Sequence, residues 1–157
     1  DQYINILREN PSKEILQSMM GVVGEHDSAS IVNGSVTNGK GSDVTVGGDK
    51  VVETKAGPIS LRQGDRVETK STYVTVNGGK KIRVQQMTGK RGHCDFVLIC
   101  DYRSDYNRKF LIPANIFFER ALFNDVRHTN SFTWDANYKA KGKYGPNTNF
   151  LLEYEIV

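Results

Sequence analysis

The chain has 157 residues, 38% hydrophobic and 25% charged, with 15 Gly and a formal net charge of +3. That length suits one domain, 1–157, with room for a core, and the composition is neither that of a disordered nor of a fibrous chain. No apolar run approaches the roughly 20 residues of a membrane span, so no membrane partner is expected, and no leader or lipidation motif opens the chain.

Taken in order, residues 1–9 carry Ile4, Ile6 and Leu7 and suit a short helix. Asn10-Pro11-Ser12 breaks it, and Ser12 can cap a new one. Ile15, Leu16, Met19, Met20 and Val23 then fall near helical spacing, which predicts an amphipathic helix over 13–23 with the two methionines filling core. Glu25 stands at its end. Residues 28–42, rich in Ser, Asn, Gly and Thr, predict a strand around Ile31-Val32 and Val36 with a glycine-punctuated approach to Asp43.

Asp43-Val-Thr-Val, Gly47-Gly48-Asp49 and Lys50-Val-Val-Glu53 read as a hairpin, by alternation around a Gly-rich turn. A turn centred on Gly48 sets Asp43 opposite Glu53, with carboxylates about 5–6 Å apart. Two acids that close repel, and a divalent cation relieves the repulsion. Lys55 shares the face of Glu53, since alternate residues of a strand point the same way. It could orient a water or steady charge on a phosphate. A second hairpin, centred between Ser60 and Leu61, would bring Glu68 opposite Glu53, with Lys70 on the same face. Solvent-facing alternation with cross-strand ion pairs is the other reading of both Glu-Thr-Lys runs.

Farther on, Asn77-Gly78-Gly79 between alternating runs predicts a hairpin that extends the sheet, its return strand carrying Lys80, Lys81 and Arg83. Those cations suit either DNA phosphates or protection of a sheet edge. Residues 85–93 suit a short helix ending near His93. Phe96-Val97-Leu98-Ile99 predicts a buried central strand, parallel to a neighbour. Cys94 and Cys100 flank it, too far apart on one strand for a disulfide, and read as buried thiols of a cytoplasmic protein. Residues 102–109 predict an exposed turn, 110–113 a strand and 114–123 a helix. Beyond Asp125, Arg127, Lys139, Lys141 and Lys143 interleave with Trp134, Tyr138 and Tyr144, as in a nucleic-acid grip or a wet terminal hairpin. An apolar strand over 150–156 closes the chain.

Asp43, followed by Glu53-Thr54-Lys55, resembles the motif of the PD-(D/E)xK nucleases, which include many type II restriction endonucleases. The likeness extends loosely over 12–118, with Ser42 where the family usually has Pro. A second run, Glu68-Thr69-Lys70, also resembles the family's Glu-x-Lys. The resemblance implies an α/β (mixed α+β) fold: a central mixed sheet, holding a three-strand antiparallel meander, flanked by helices. The core would cover about 12–124, with a basic and aromatic extension over 125–157. It further implies an Mg²⁺-dependent DNA endonuclease, with Mn²⁺ able to substitute. Asp43 and Glu53 would be the metal ligands and Lys55 would stand near the attacking water, with Glu68 and Lys70 as the alternative pair. Glu25 and His93 would be accessory groups. Double-stranded DNA, a homodimer and a prokaryotic or phage-type cytoplasm are the partner and setting so implied. A homing or junction-resolving nuclease, or a non-catalytic nucleic-acid-binding module, are the alternatives.

Overall fold

The structure is a computed structural model that describes residues 13–37, 42–72, 81–85, 92–102, 108–120, 123–124, 129–133 and 149–157. It is a mixed α+β fold. Helix α1 (Lys13–Val32) leads into β1 (Gly34–Val36), β2 (Val44–Val46), β3 (Lys50–Thr54), β4 (Gly57–Leu61) and β5 (Arg66–Thr72). Then come β6 (Lys81–Gln85), β7 (Phe96–Asp101), β8 (Arg108–Pro113), α2 (Ala114–Arg120), β9 (Phe123–Asn124), β10 (Thr129–Thr133) and a 3₁₀ helix (Asn149–Tyr154).

Five strands form the central sheet in the order β1-β2-β5-β7-β8. β2 is antiparallel to both β1 and β5, β5 runs parallel to β7, and β8 returns antiparallel. The parallel central strand expected from the apolar run is therefore present. Its alternation feeds two cores. Val97 and Ile99 pack on one face with Phe110, Ile112, Phe117 and Phe150, under α2 and the 3₁₀ helix. Leu98 and Cys100 pack on the other with Val32, Val44, Val67 and Leu111, on the side of α1. A strand covered on both faces reads as a continuous apolar run for this reason. Cys94 and Cys100 are both buried, as expected.

Several expectations need correction. The first helix does not stop at Val23: it runs to Val32, taking in residues read as strand. Ser28, Ala29, Ile31 and Val32 turn toward the sheet and keep the helix in contact with it. Asn33, at φ 54°, then ends it in the left-handed conformation that asparagine tolerates. Met19, expected in the core, is 41% exposed.

β2 does not form a hairpin with β3. Both edges of β2 are already taken, one by β1 and the other by β5. The backbone around the end of β2 bonds elsewhere too: Gly47 N donates to Asn33 O (2.9 Å) and Gly64 N to Val46 O (2.8 Å). β3 pairs instead with β4, in a separate two-stranded sheet whose turn falls at Lys55-Ala56 rather than at Ser60-Leu61. Gly57, at φ 116°, closes that turn, a conformation open to glycine. The hairpin lays Val52 and Leu61 onto the core and leaves Val51 and Glu53 outside.

β6 joins β10 and β9 in a three-stranded sheet and does not extend the central one. Arg108 and Lys109 belong to β8, and Tyr102, expected in an exposed turn, is buried. The second helix ends at Arg120. The closing segment is a 3₁₀ helix rather than a strand, followed by single bridges from Glu155 to Phe110 and from Ile156 to Thr54. The expected helix at 1–9 and most of the expected helix at 85–93 lie outside the described residues. Among the described residues no helix is long and apolar enough to cross a membrane.

Candidate functional site

The pairing of β2 with β5 decides which acids meet. The register joins Val44 to Val67 and Thr45 to Arg66, and Asp43 stands just outside that ladder, at the bend leading into β2. Two hydrogen bonds tie it to the backbone on either side of Glu68: Asp43 N donates to Val67 O at 3.1 Å, and Thr69 N donates to Asp43 Oδ2 at 2.9 Å. Asp43 therefore stands beside Glu68-Thr69-Lys70 and not beside Glu53.

The faces follow from the pleat. Thr69 and Ser71 point toward α1, where Thr69 Oγ1 donates to Ser28 Oγ at 2.9 Å. Glu68 and Lys70 point the other way, on the face of their β7 partners Val97 and Ile99. Glu68 is 2% exposed, and Lys70 Nζ lies 3.3 Å from its Oε1. A carboxylate taken out of water to that degree requires a compensating positive charge.

Glu25 approaches from the opposite side, on α1. Its carboxyl is pushed above the usual range, first by partial burial and then by the negative charge of Asp43, with His26 pulling the other way. Strand N–H groups lie in the plane of the sheet, so the Asp43 carboxylate that meets Thr69 N lies between the two faces. Glu68 on one face and Glu25 on the other can thus both act on it.

The first motif has different surroundings. Glu53 lies opposite Pro58, exposed on the hairpin. Lys55 occupies the turn and forms an ion pair with Glu155, which Arg108 also holds. Burial raises the Glu155 carboxyl, but the hydrogen bonds from Arg108 and Lys55 outweigh it and leave it below its ordinary range. The expected row of Asp43, Glu53 and Glu68 is not formed. His93 is exposed in the turn before β7. Lys81 and Arg83 lie on β6, while Lys80, Arg127, Lys139, Lys141 and Lys143 fall outside the described residues.

Among the described residues no group of three or more His, Cys, Asp or Glu side chains is placed to hold a metal ion. The donors at Asp43 and Glu68 are carboxylates, the hard oxygen ligands that Mg²⁺ takes. Mg²⁺ is commonly held by one or two carboxylates while keeping several of its waters, so a pair fits its chemistry.

Sequence reasoning missed the amide of Thr69 as the group that fixes Asp43, and Gly24 on the helix beneath it. A signal for the right pair was present in Ala56-Gly57-Pro58. A turn sequence directly after Lys55 places that motif at a hairpin tip. No protein-family model and no curated protein matches the chain.

Proposed function

We propose that this chain is a metal-dependent nuclease of the PD-(D/E)xK kind, with its site at Asp43, Glu68 and Lys70 and Glu25 as an accessory carboxylate. The observation that carries the reading is the β2–β5 pairing, with an aspartate at a strand start bonded to the backbone on either side of the Glu of Glu-x-Lys on the next strand of the central sheet. The sheet order supports it: three antiparallel strands, β1-β2-β5, followed by the parallel β7, with α1 packed beside them.

Asp43 and Glu68 would hold Mg²⁺ or Mn²⁺. The ion, when bound, supplies charge stabilisation at the phosphate and a more acidic water. The reaction is hydrolysis of a phosphodiester. Water oxygen bonds to phosphorus as one ester P–O bond breaks, water gives up a proton, and the leaving oxygen takes one up. Thr69 N holds the Asp43 carboxylate in place. Lys70 contributes an ammonium beside the acids, placed to orient the water or to offset charge on the phosphate. Duplex DNA is the proposed substrate, and cutting both strands of a symmetric site calls for a homodimer.

Plasmid cleavage with Mg²⁺, and with EDTA, tests this. The expected result is metal-dependent cutting, lost in Asp43→Asn and Glu68→Gln and retained in Glu53→Ala. A folded parent chain that neither cuts DNA nor binds Mn²⁺ overturns the enzyme reading. Salt-dependent DNA binding in such a chain would leave a nucleic-acid-binding module.

A further inference from the structure

Gly24 lies inside α1, where glycine is a poor helix former. Its position explains the choice. A Cβ built there would overlap Ser71 Oγ, and would lie 3.3 Å from Ser71 Cβ and 3.6 Å from Thr69 Cγ2. Gly21, three residues earlier on the same helix, is exposed, and a Cβ there would meet nothing within 4 Å. One turn after Gly24, Ser28 Oγ takes the hydrogen bond from Thr69 Oγ1. The helix thus rests directly on the two residues of β5 that alternate with Glu68 and Lys70. Its next residue, Glu25, is the one whose charge meets Asp43.

We propose that Gly24 is a positioning residue: by letting α1 close onto Ser71 it sets the distance between the helix-borne Glu25 and the Asp43–Glu68 pair on the sheet. This inference rests on the metal-site reading of those acids. A methyl group at position 24 displaces the Ser71 hydroxyl and presses on Ser71 Cβ more closely than ordinary contact, so α1 shifts from β5 by a few tenths of an ångström. Glu25 then moves with it, away from Asp43. Packed helix and sheet faces transmit such a shift because interiors are close-packed.

The test is Mn²⁺ binding by calorimetry, with circular dichroism and thermal melting as the check on folding. Gly24→Ala is expected to weaken Mn²⁺ by about tenfold, the size found when groups supporting metal ligands are disturbed. Gly24→Ala with Ser71→Gly, which clears the space from the strand side, is expected to restore binding close to the parent. A role in stability alone would give no such reciprocal rescue of affinity. Gly21→Ala is expected to bind as the parent does. Ser71→Val crowds the same contact from β5 and is expected to weaken Mn²⁺ as well, which keeps the test open if Gly24→Ala does not fold. Gly24→Ala or Ser71→Val binding as tightly as the parent overturns the inference alone, as does failure of Ser71→Gly to rescue a folded Gly24→Ala. A parent chain that binds no Mn²⁺ overturns this inference together with the reading it rests on.

Discussion

The tripeptide Glu-Thr-Lys occurs at 53–55 and again at 68–70, and the two copies face opposite fates. On β3, one side of the strand packs inward. Thr54 is buried, its hydroxyl donating to Gly57 O at 2.8 Å, and Glu53 is left to solvent. On β5 both sides are covered. Thr69 turns to α1, and Glu68 turns to the opposite core, that of Val97 and Ile99, where Lys70 keeps it company. The lesson is that a Glu-x-Lys pattern gains chemistry from what covers it. On a one-sided hairpin it is surface. In the middle of a two-sided sheet it is a buried ion pair beside a third charged group, Asp43.

That contrast can be broken by experiment, most strongly through cleavage. Glu68→Gln or Lys70→Met is expected to lower the rate about 100-fold or more, as loss of a group acting on the reacting phosphate does. Glu53→Gln and Lys55→Met are expected to leave it near the parent value. Equal losses from both pairs would show that the hairpin also reaches the substrate.

Stability gives the converse test. Glu155→Gln is expected to cost about 1–3 kcal/mol in chemical denaturation at pH 7, because Arg108 and Lys55 lose a largely buried charged partner. The effect should depend on pH with a definite sign. The folded-state pKa of Glu155 lies below its ordinary value, so its contribution is complete above the ordinary carboxylate range. It disappears as pH falls through the folded value. The parent should therefore lose its advantage over Glu155→Gln on acidification. A gap that stays constant from neutral to acid pH would contradict the assignment.

A smaller effect is expected at Glu25. Glu25→Gln keeps the shape of the side chain and removes its charge, and should weaken Mn²⁺ by less than Glu68→Gln does. A loss as large as that from Glu68→Gln would make Glu25 a principal ligand rather than an accessory one. The smallest change is expected from Tyr102→Phe, which removes the hydrogen bond to Asp27 Oδ2. About 1 kcal/mol of stability should go, with cleavage unchanged.

How far the sequence could be read follows from the range of the forces involved. The buried strand at 96–101 and the helix starting at Lys13 were visible because burial on two faces, and helical spacing, leave local patterns. Asp43 and the alternative pair Glu68-Lys70 were also visible, although the sequence pattern favoured Glu53 as the partner of Asp43. Strand pairing was not. Whether β2 pairs with β3 or with β5 depends on who occupies its edges, and Asn33, Gly64 and Asp65, which settle that, look like loop residues in the sequence. A Gly-rich turn after Val46 suggests a hairpin, but glycine there equally allows Gly47 N to reach Asn33 O. The bound of α1 failed for a related reason. Ser28 looks like a helix breaker until Thr69, 41 positions later, supplies its partner.

The closing segment has a bearing on how the chain folds. Lys55 N donates to Glu155 O, Val157 N to Glu53 O and Ile156 N to Lys109 O, so residues 155–157 stitch the β3–β4 hairpin to the edge strand of the central sheet. The hairpin itself closes a loop of a few residues, which takes about microseconds. The stitch joins positions roughly 100 residues apart and must wait for most of the topology to be in place. β3 and β4 would then form early and be fastened late, so that a chain without the stitch keeps its central sheet and holds the hairpin mainly through the packing of Val52 and Leu61.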